Sequence, residues 1–356
     1  SEEALLMGQA LAVSTSLLSE LLVVRATALD FSDREAESVA FMREGARLSE
    51  AAGAAEIHSS ALLNLSSLTR SSEPAGALEA ARASSSEARR VGNPDLLAYA
   101  TSNGGVALLD LGEWDETAVL LAQAGEDGIG DHPQIAYLRV LLAGLRRDGE
   151  GAAGGYATLF GAIGGSEDRQ DAAVLSLAGA FAATADGRSA EAQGHAMSAV
   201  RQAEAIGIRH DVVCWAWPLA ARLSRALEDG AATGELLAML DTRPLGHVPP
   251  LLRAERQLAV AWAAAEPAAD AAAGSAVDRA ADLEIFAAAV AALREVGSPY
   301  HLAHGLLDQA GFLARSGDPE DAAASIEEAR AIGERLGCPP LRERADSLTA
   351  DLAAVT

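Results

Sequence analysis

The sequence predicts an all-α chain built as a row of antiparallel helix pairs, and three observations carry that expectation. Half the residues are apolar while only 4% are aromatic, and alanine, the strongest helix former, dominates. A Gly-then-Pro punctuation recurs, most plainly in LREVGSPYHLAHGLL and again in IGERLGCPPLRERADSL. The stretch between punctuations is broken once more near its middle, so each unit reads helix, short turn, helix, longer turn.

The punctuation has a physical meaning. Glycine after a helix supplies the left-handed residue that ends it, and proline soon after prevents continuation. In chain order the marker glycines are Gly53, Gly92, Gly130, Gly165, Gly207, Gly246, Gly297 and Gly337, at a mean interval of about 41 residues. The midway breakers are SSEPAG, LGEWDE, ADGRSAE, LEDGAATGE and SGDPED, whose acidic residues suit the N-terminus of the next helix. Eight places after the markers stand Ala61, Ala100, Leu138, Ala173, Trp215, Ala254, Gly305 and Ala345. Small residues prevail there, as expected where one helix crosses its neighbour closely. The copies then share one continuous core along residues 1–356, with EPAADAAAGS (266–275) as a loop insertion between helices.

An alanine-rich core gains little per side chain, about 0.8 kcal/mol per methyl, and must rely on close helix approach. The formal net charge is −24, and all 27 basic residues are arginine. The absence of lysine removes phosphate-loop and Schiff-base chemistry. The acidic balance argues against direct nucleic-acid binding and against an anionic membrane surface. Cys214 and Cys338 stand far apart without metal-ligand spacing, which fits a reducing cytoplasm. Ala4–Leu29 is apolar but interrupted by Gln9, Glu20 and Arg25, so it reads as an amphipathic core helix rather than a signal or a membrane span. The opening Ser-Glu-Glu, without Met, reads as a piece cut from a longer protein.

LLDLGEWDETAVLLAQA and LARSGDPEDAAASIEEARAIGERLG resemble the tetratricopeptide repeat in their turn, their small-residue positions and their terminal Gly-Pro region. The copies are longer than the common 34-residue repeat. That likeness implies a right-handed superhelical solenoid whose first helices line a concave groove. HVPPLLRAERQLAVAWAA, followed by FAAAVAALREVGSPYHLAHGLLDQAGFLARSGDPEDAA, is similar to the C-terminal region of large actinobacterial signalling proteins. There a nucleotide cyclase or a DNA-binding (LuxR-type) domain is joined to an AAA/STAND-type ATPase and then to repeats.

The groove is the expected site. Positions seven and eleven after each marker lie one helical turn apart and share a face. They contribute Tyr99 with Asn103, Tyr137, Arg253 with Gln257, and His304 with Asp308, with Asn64 beside Ser60. By resemblance, such asparagines hold the backbone of a bound peptide, and Arg253 and Arg256 suit an acidic partner. His301, His304 and Asp308 have a metal-compatible spacing, but a polar groove-facing stripe is the better reading, so no metal is expected. His210, Asp211 and Cys214 form a shorter version near a helix start, where Asp211 reads as serving the helix N-terminus and Cys214 as packing. The glycine-rich GEGAAGGYATLFGAIGGSEDRQD lacks a phosphate-binding frame and reads as a degenerate repeat; Trp215 and Trp217 read as core or packing around Pro218.

No nucleophile elbow, triad or cofactor motif occurs, so neither catalysis nor a cofactor is expected. The expectation is a non-catalytic interaction or sensor segment of a larger cytoplasmic regulator. It would bind a protein or peptide, or attached domains of its own parent chain, in the concave groove. The alternative is a metabolite sensor, which calls for one pocket with convergent polar groups.

Overall fold

The computed structural model describes residues 3, 6, 7, 13–32, 34–265 and 276–355, and among them every regular element is helical. The 266–275 loop insertion and the first part of Ala4–Leu29 lie outside the described residues. The helices are α1 (Thr15–Asp30), α2 (Glu35–Ala51), α3 (Ala55–Thr69), α4 (Pro74–Val91), α5 (Pro94–Leu111), α6 (Trp114–Glu126), α7 (Pro133–Leu145), α8 (Gly149–Ile163) and α9 (Arg169–Ala185). They continue as α10 (Ser189–Val200), α11 (Ala203–Ile206), α12 (Asp211–Ala226), α13 (Gly230–Asp241), α14 (Pro250–Ala265), α15 (Ala276–Val296), α16 (Pro299–Ser316), α17 (Pro319–Leu336) and α18 (Pro339–Val355). A 3₁₀ turn, Leu245–His247, precedes α14. None of the described helices is long and apolar enough to cross a membrane.

Proline opens α4, α5, α7, α14, α16, α17 and α18, where its missing N–H costs nothing and its fixed φ suits the first turn. It therefore starts the second helix as well as stopping the first. Gly53, Gly92, Gly297 and Gly337 have the positive φ expected of the markers, while Gly207 combines φ 91° with an extended ψ of 144°. Gly130, Gly165 and Gly246 are not among the left-handed glycines; after α6 that place belongs to Gly128, with φ 76°. Two turns lack a glycine there and force Arg147 and Glu228 to φ 56° instead. The turns between pairs are also not uniformly longer: Gly92-Asn93, Gly297-Ser298 and Gly337-Cys338 each link two helices in two residues.

By its contacts the chain forms two compact units. The first comprises Ser1–Leu109, Asp115–Arg139 and Gly155–Gly165, the second Asp110–Trp114, Val140–Gly154 and Ser166–Thr356. In the first, α1 packs on α2, α2 on α3 and α3 on α4, and α1 also touches α3. Small polar residues let these helices approach. Ser59 and Ser84 are fully buried, and each donates its hydroxyl to the other's carbonyl at 3.1 and 2.8 Å, while Ser38 donates to Ala26 O at 2.8 Å. Gly105 of α5 lies so close to α7 that a Cβ would stand 2.1 Å from Leu138 Cδ2.

In the second unit the odd-and-even alternation of a hairpin array is explicit. Each helix from α12 to α18 packs on its successor, and α12, α14, α16 and α18 also touch in that order. The outer helices of successive pairs are tied by Arg201–Glu235 and Arg294–Glu328, and in the first unit by Arg82–Glu116. All three pairs are 34 residues apart in sequence. All eight small-column residues, from Ala61 to Ala345, are buried.

Stacking on the next pair is not the whole of the second unit. Trp114 is 1% exposed and packs its ring on Tyr300 at 5.7 Å. Cys338 Sγ donates to Leu145 O at 3.5 Å, Arg147 pairs with Glu343 at 2.6 Å, and a Cβ at Gly112 would meet Pro299 at 2.9 Å. Segments around residues 112 and 146 thus pack onto α16, α17 and α18 across nearly two hundred positions of sequence.

Candidate functional site

The predicted groove residues divide by environment. In the first unit Asn64 is half-buried, Asn103 donates its side-chain amide to Leu63 O at 3.3 Å, and Tyr137 is buried. Tyr99 is 43% exposed and meets His132 edge-on at 5.6 Å. In the second unit Arg253 and Gln257 face outward on α14 and Arg256 pairs with Asp241 at 2.5 Å. His304 and Asp308 do the opposite: they turn into the unit and join a set of charged groups on α12, α14, α16 and α18.

Glu255, fully buried on α14, is one centre of that set. Its Oε1 accepts from the Arg222 guanidinium of α12 and stands 2.5 Å from His301 Nδ1 of α16. Contact that short with a carboxylate oxygen requires the ring proton on Nδ1. The second centre is Asp308, 3% exposed, whose Oδ1 accepts from Arg225 Nη1 at 2.8 Å and from the Arg344 guanidinium of α18. Aromatic rings close around both. Tyr300 meets His304 at 4.7 Å and His301 at 5.3 Å, Trp215 meets His301 at 5.5 Å, and Arg225 lies over Trp262 at 4.8 Å. Glu255 Oε2, Asp308 Oδ2, His301 Nε2, both ring nitrogens of His304 and Trp262 Nε1 are buried without a hydrogen-bond partner.

Burial sets the protonation of these rings. It holds His301 below the ordinary imidazole range despite its contact with Glu255. It holds His304 well below that range, with the Arg222 and Arg344 charges adding to the effect. Burial also raises the Tyr300 hydroxyl, and it pushes the Cys338 thiol up to about 11. The imidazoles of His301 and His304 are therefore neutral at neutral pH, and they lie among two acidic side chains held by three arginines. The evident physical work of the set is to clamp four helices. Breaking one side of such a buried pair costs about 3–5 kcal/mol. Among the described residues no three His, Cys, Asp or Glu side chains are grouped to hold a metal, so the His301, His304 and Asp308 spacing does not assemble a metal centre.

Glu255 was missed because the sequence register was taken from glycines; Arg344, seven after Gly337, shares the column of His304 and was passed over, and Arg222 and Arg225 lie outside columns seven and eleven. The 3₁₀ turn that contains Gly246 delays the start of α14, which shifts the columns by two and points to Arg253 and Gln257. Counting from the helix-opening prolines instead, Glu255, His304 and Arg344 each stand five residues after Pro250, Pro299 and Pro339. Trp215 and Trp217 are both buried, the latter donating to Leu236 O at 3.1 Å, so the core reading holds for each.

The first unit contains a different arrangement: a cleft of about 380 Å³ between α4 and α6, floored by α5. Leu78, Leu108, Val119 and Leu120 give it an apolar lining, and Gly104 keeps its floor flat. Arg82 and Arg89 of α4 stand at its edge, two turns apart on one face. Arg82 uses one nitrogen, Nη2, on Glu116 of α6 at 2.9 Å. Arg89 turns Nε and Nη2 to a single oxygen of Asp127, at 3.2 and 2.7 Å. Pairs this exposed contribute about 0–1 kcal/mol each and open readily. Thr101 on the floor is 3% exposed, and its hydroxyl has no hydrogen-bond partner. A buried donor left unmade costs about 1–3 kcal/mol, which makes Thr101 a poor choice for packing alone.

The fold and these two polar regions define an all-α protein of stacked helix pairs. Compared with known proteins, the chain matches no family model and no curated protein.

Proposed function

We propose that this chain is a non-catalytic sensor segment of a larger regulatory protein, a tetratricopeptide-like array that binds a small molecule in the cleft between α4 and α6. The observation that carries this is the cleft itself: about 380 Å³, with Leu78, Leu108, Val119 and Leu120 as its apolar lining and Arg82 and Arg89 at its edge. That volume falls in the range of about 300–1,000 Å³ usual for small-molecule sites. A peptide groove along the inner helices has weaker support, because His304 and Asp308 are committed to the buried clamp and Arg256 to Asp241. Its remaining support is the exposure of Tyr99, Arg253 and Gln257. Cys214 and Cys338 are buried and in no disulfide, which suits a cytoplasmic setting.

The test is titration of the chain with an apolar fluorescent dye and with 1-octanol, followed by residue-resolved NMR. Shifts should gather on Thr101, Val119 and Leu120. Val119, 67% exposed, can be changed to Asp with little effect on melting, and that variant should lose the shifts. Unchanged spectra throughout α4, α5 and α6 would contradict the proposal.

A further inference from the structure

We infer that the α4–α6 cleft selects an amphipathic carboxylate, an apolar chain or ring ending in a carboxylate that Arg82 takes. The inference rests on the binding function proposed above and adds the chemistry of the ligand's head.

Three observations converge on it. The chain carries a formal charge of −24, so an anion meets repulsion over most of its surface, yet the charged residues lining this cleft are two arginines and one glutamate. The two arginines differ in availability. Arg89 presents one edge of its guanidinium to Asp127 through two nitrogens, whereas Arg82 holds Glu116 through Nη2 alone. The Arg82 and Glu116 side chains are 60% and 57% exposed, so water weakens their attraction and a competing carboxylate can displace Glu116. A planar guanidinium fork then matches the incoming carboxylate in a way that a single point charge would not.

The apolar side of the ligand has its own seat. Leu78, Leu108, Val119 and Leu120 line the cleft, and Val119 is held out at 67% exposure. An apolar tail covering them removes that surface from water. Head and tail together describe a small organic acid with an apolar body.

Three probes of equal chain length separate head from tail: octanoate, 1-octanol and octylammonium, each titrated into the full chain by calorimetry with NMR mapping. Octanoate should bind at least ten-fold more tightly than octanol, and octylammonium most weakly. Arg82→Gln should bring octanoate down to the affinity of octanol, while Glu116→Gln, which frees Arg82, should tighten octanoate several-fold. Octanol binding as tightly as octanoate would overturn the carboxylate inference and leave the cleft as a binding site. Failure of all three probes to perturb α4, α5 and α6 would overturn both.

Discussion

The arginines at the cleft and those in the clamp stand in opposite settings. Around the cleft, Arg82 and Glu116 keep 60% and 57% of their side-chain surface in water. In the clamp, Arg222 keeps 14% and Glu255 none. The same pairing chemistry therefore has different consequences. In water it is weak and exchangeable, which suits a rim that must open to a ligand; out of water it is costly to break and so fixes the helices that carry it. Position relative to solvent, more than residue type, separates a binding surface from a structural lock.

The contrast is sharpest for loss of a carboxylate. Glu255→Ala leaves Arg222 and His301 facing an uncompensated hole and should destabilise the second unit by about 3–5 kcal/mol, read by urea unfolding with hydrogen exchange resolved by unit. Glu116→Ala at the cleft should cost under about 1 kcal/mol in the same assay. Equal costs would erase the distinction between the two settings.

Steric filling gives the next effect. Gly105→Ala pushes a methyl into Leu138 and should cost about 1–3 kcal/mol, this time in the first unit, measured by the same unit-resolved exchange.

Acid should then act selectively on the second unit. Burial holds His301 and His304 below the ordinary imidazole value of about 6.5, so below that pH the unfolded chain binds protons that the folded chain refuses. Their contribution is intact above about pH 6.5 and declines as pH falls, by at most about 1.4 kcal/mol per pH unit for each ring. His304→Phe should flatten that slope, as monitored by melting between pH 7 and 5. The wild-type slope persisting in the variant would remove His304 from the account.

The smallest change concerns the strained turn after α12. Glu228 holds φ 56°, so Glu228→Gly should raise stability by up to about 1 kcal/mol, detectable as a small upward shift in urea midpoint.

How far the sequence foretold this depends on how local each feature is. Helices, turns and the buried small column were legible because glycine, proline and alanine act within a few residues of where they stand. Gly130 and Gly246 misled for the same reason: a glycine near a turn need not be its left-handed residue, and Gly128 or a 3₁₀ turn took over. That slip alone hid Glu255. The clamp was half visible, through His304 and Asp308, but whether polar residues on an inner face meet solvent or arginine is decided by helices far off in sequence. The cleft left only a faint trace. Arg82 and Glu116, like Arg201 with Glu235 and Arg294 with Glu328, sit 34 residues apart, a repeat-length charge pairing invisible to a search for catalytic motifs.

The most direct test is hydrogen exchange on the full chain with and without octanoate, resolved to individual helices. The account predicts added protection confined to α4, α5 and α6, with the amides near Glu255 and His304 unchanged. Protection arising on α14 and α16 while the cleft stays silent would contradict it, since the clamp would then be the binding site and the cleft an ordinary surface.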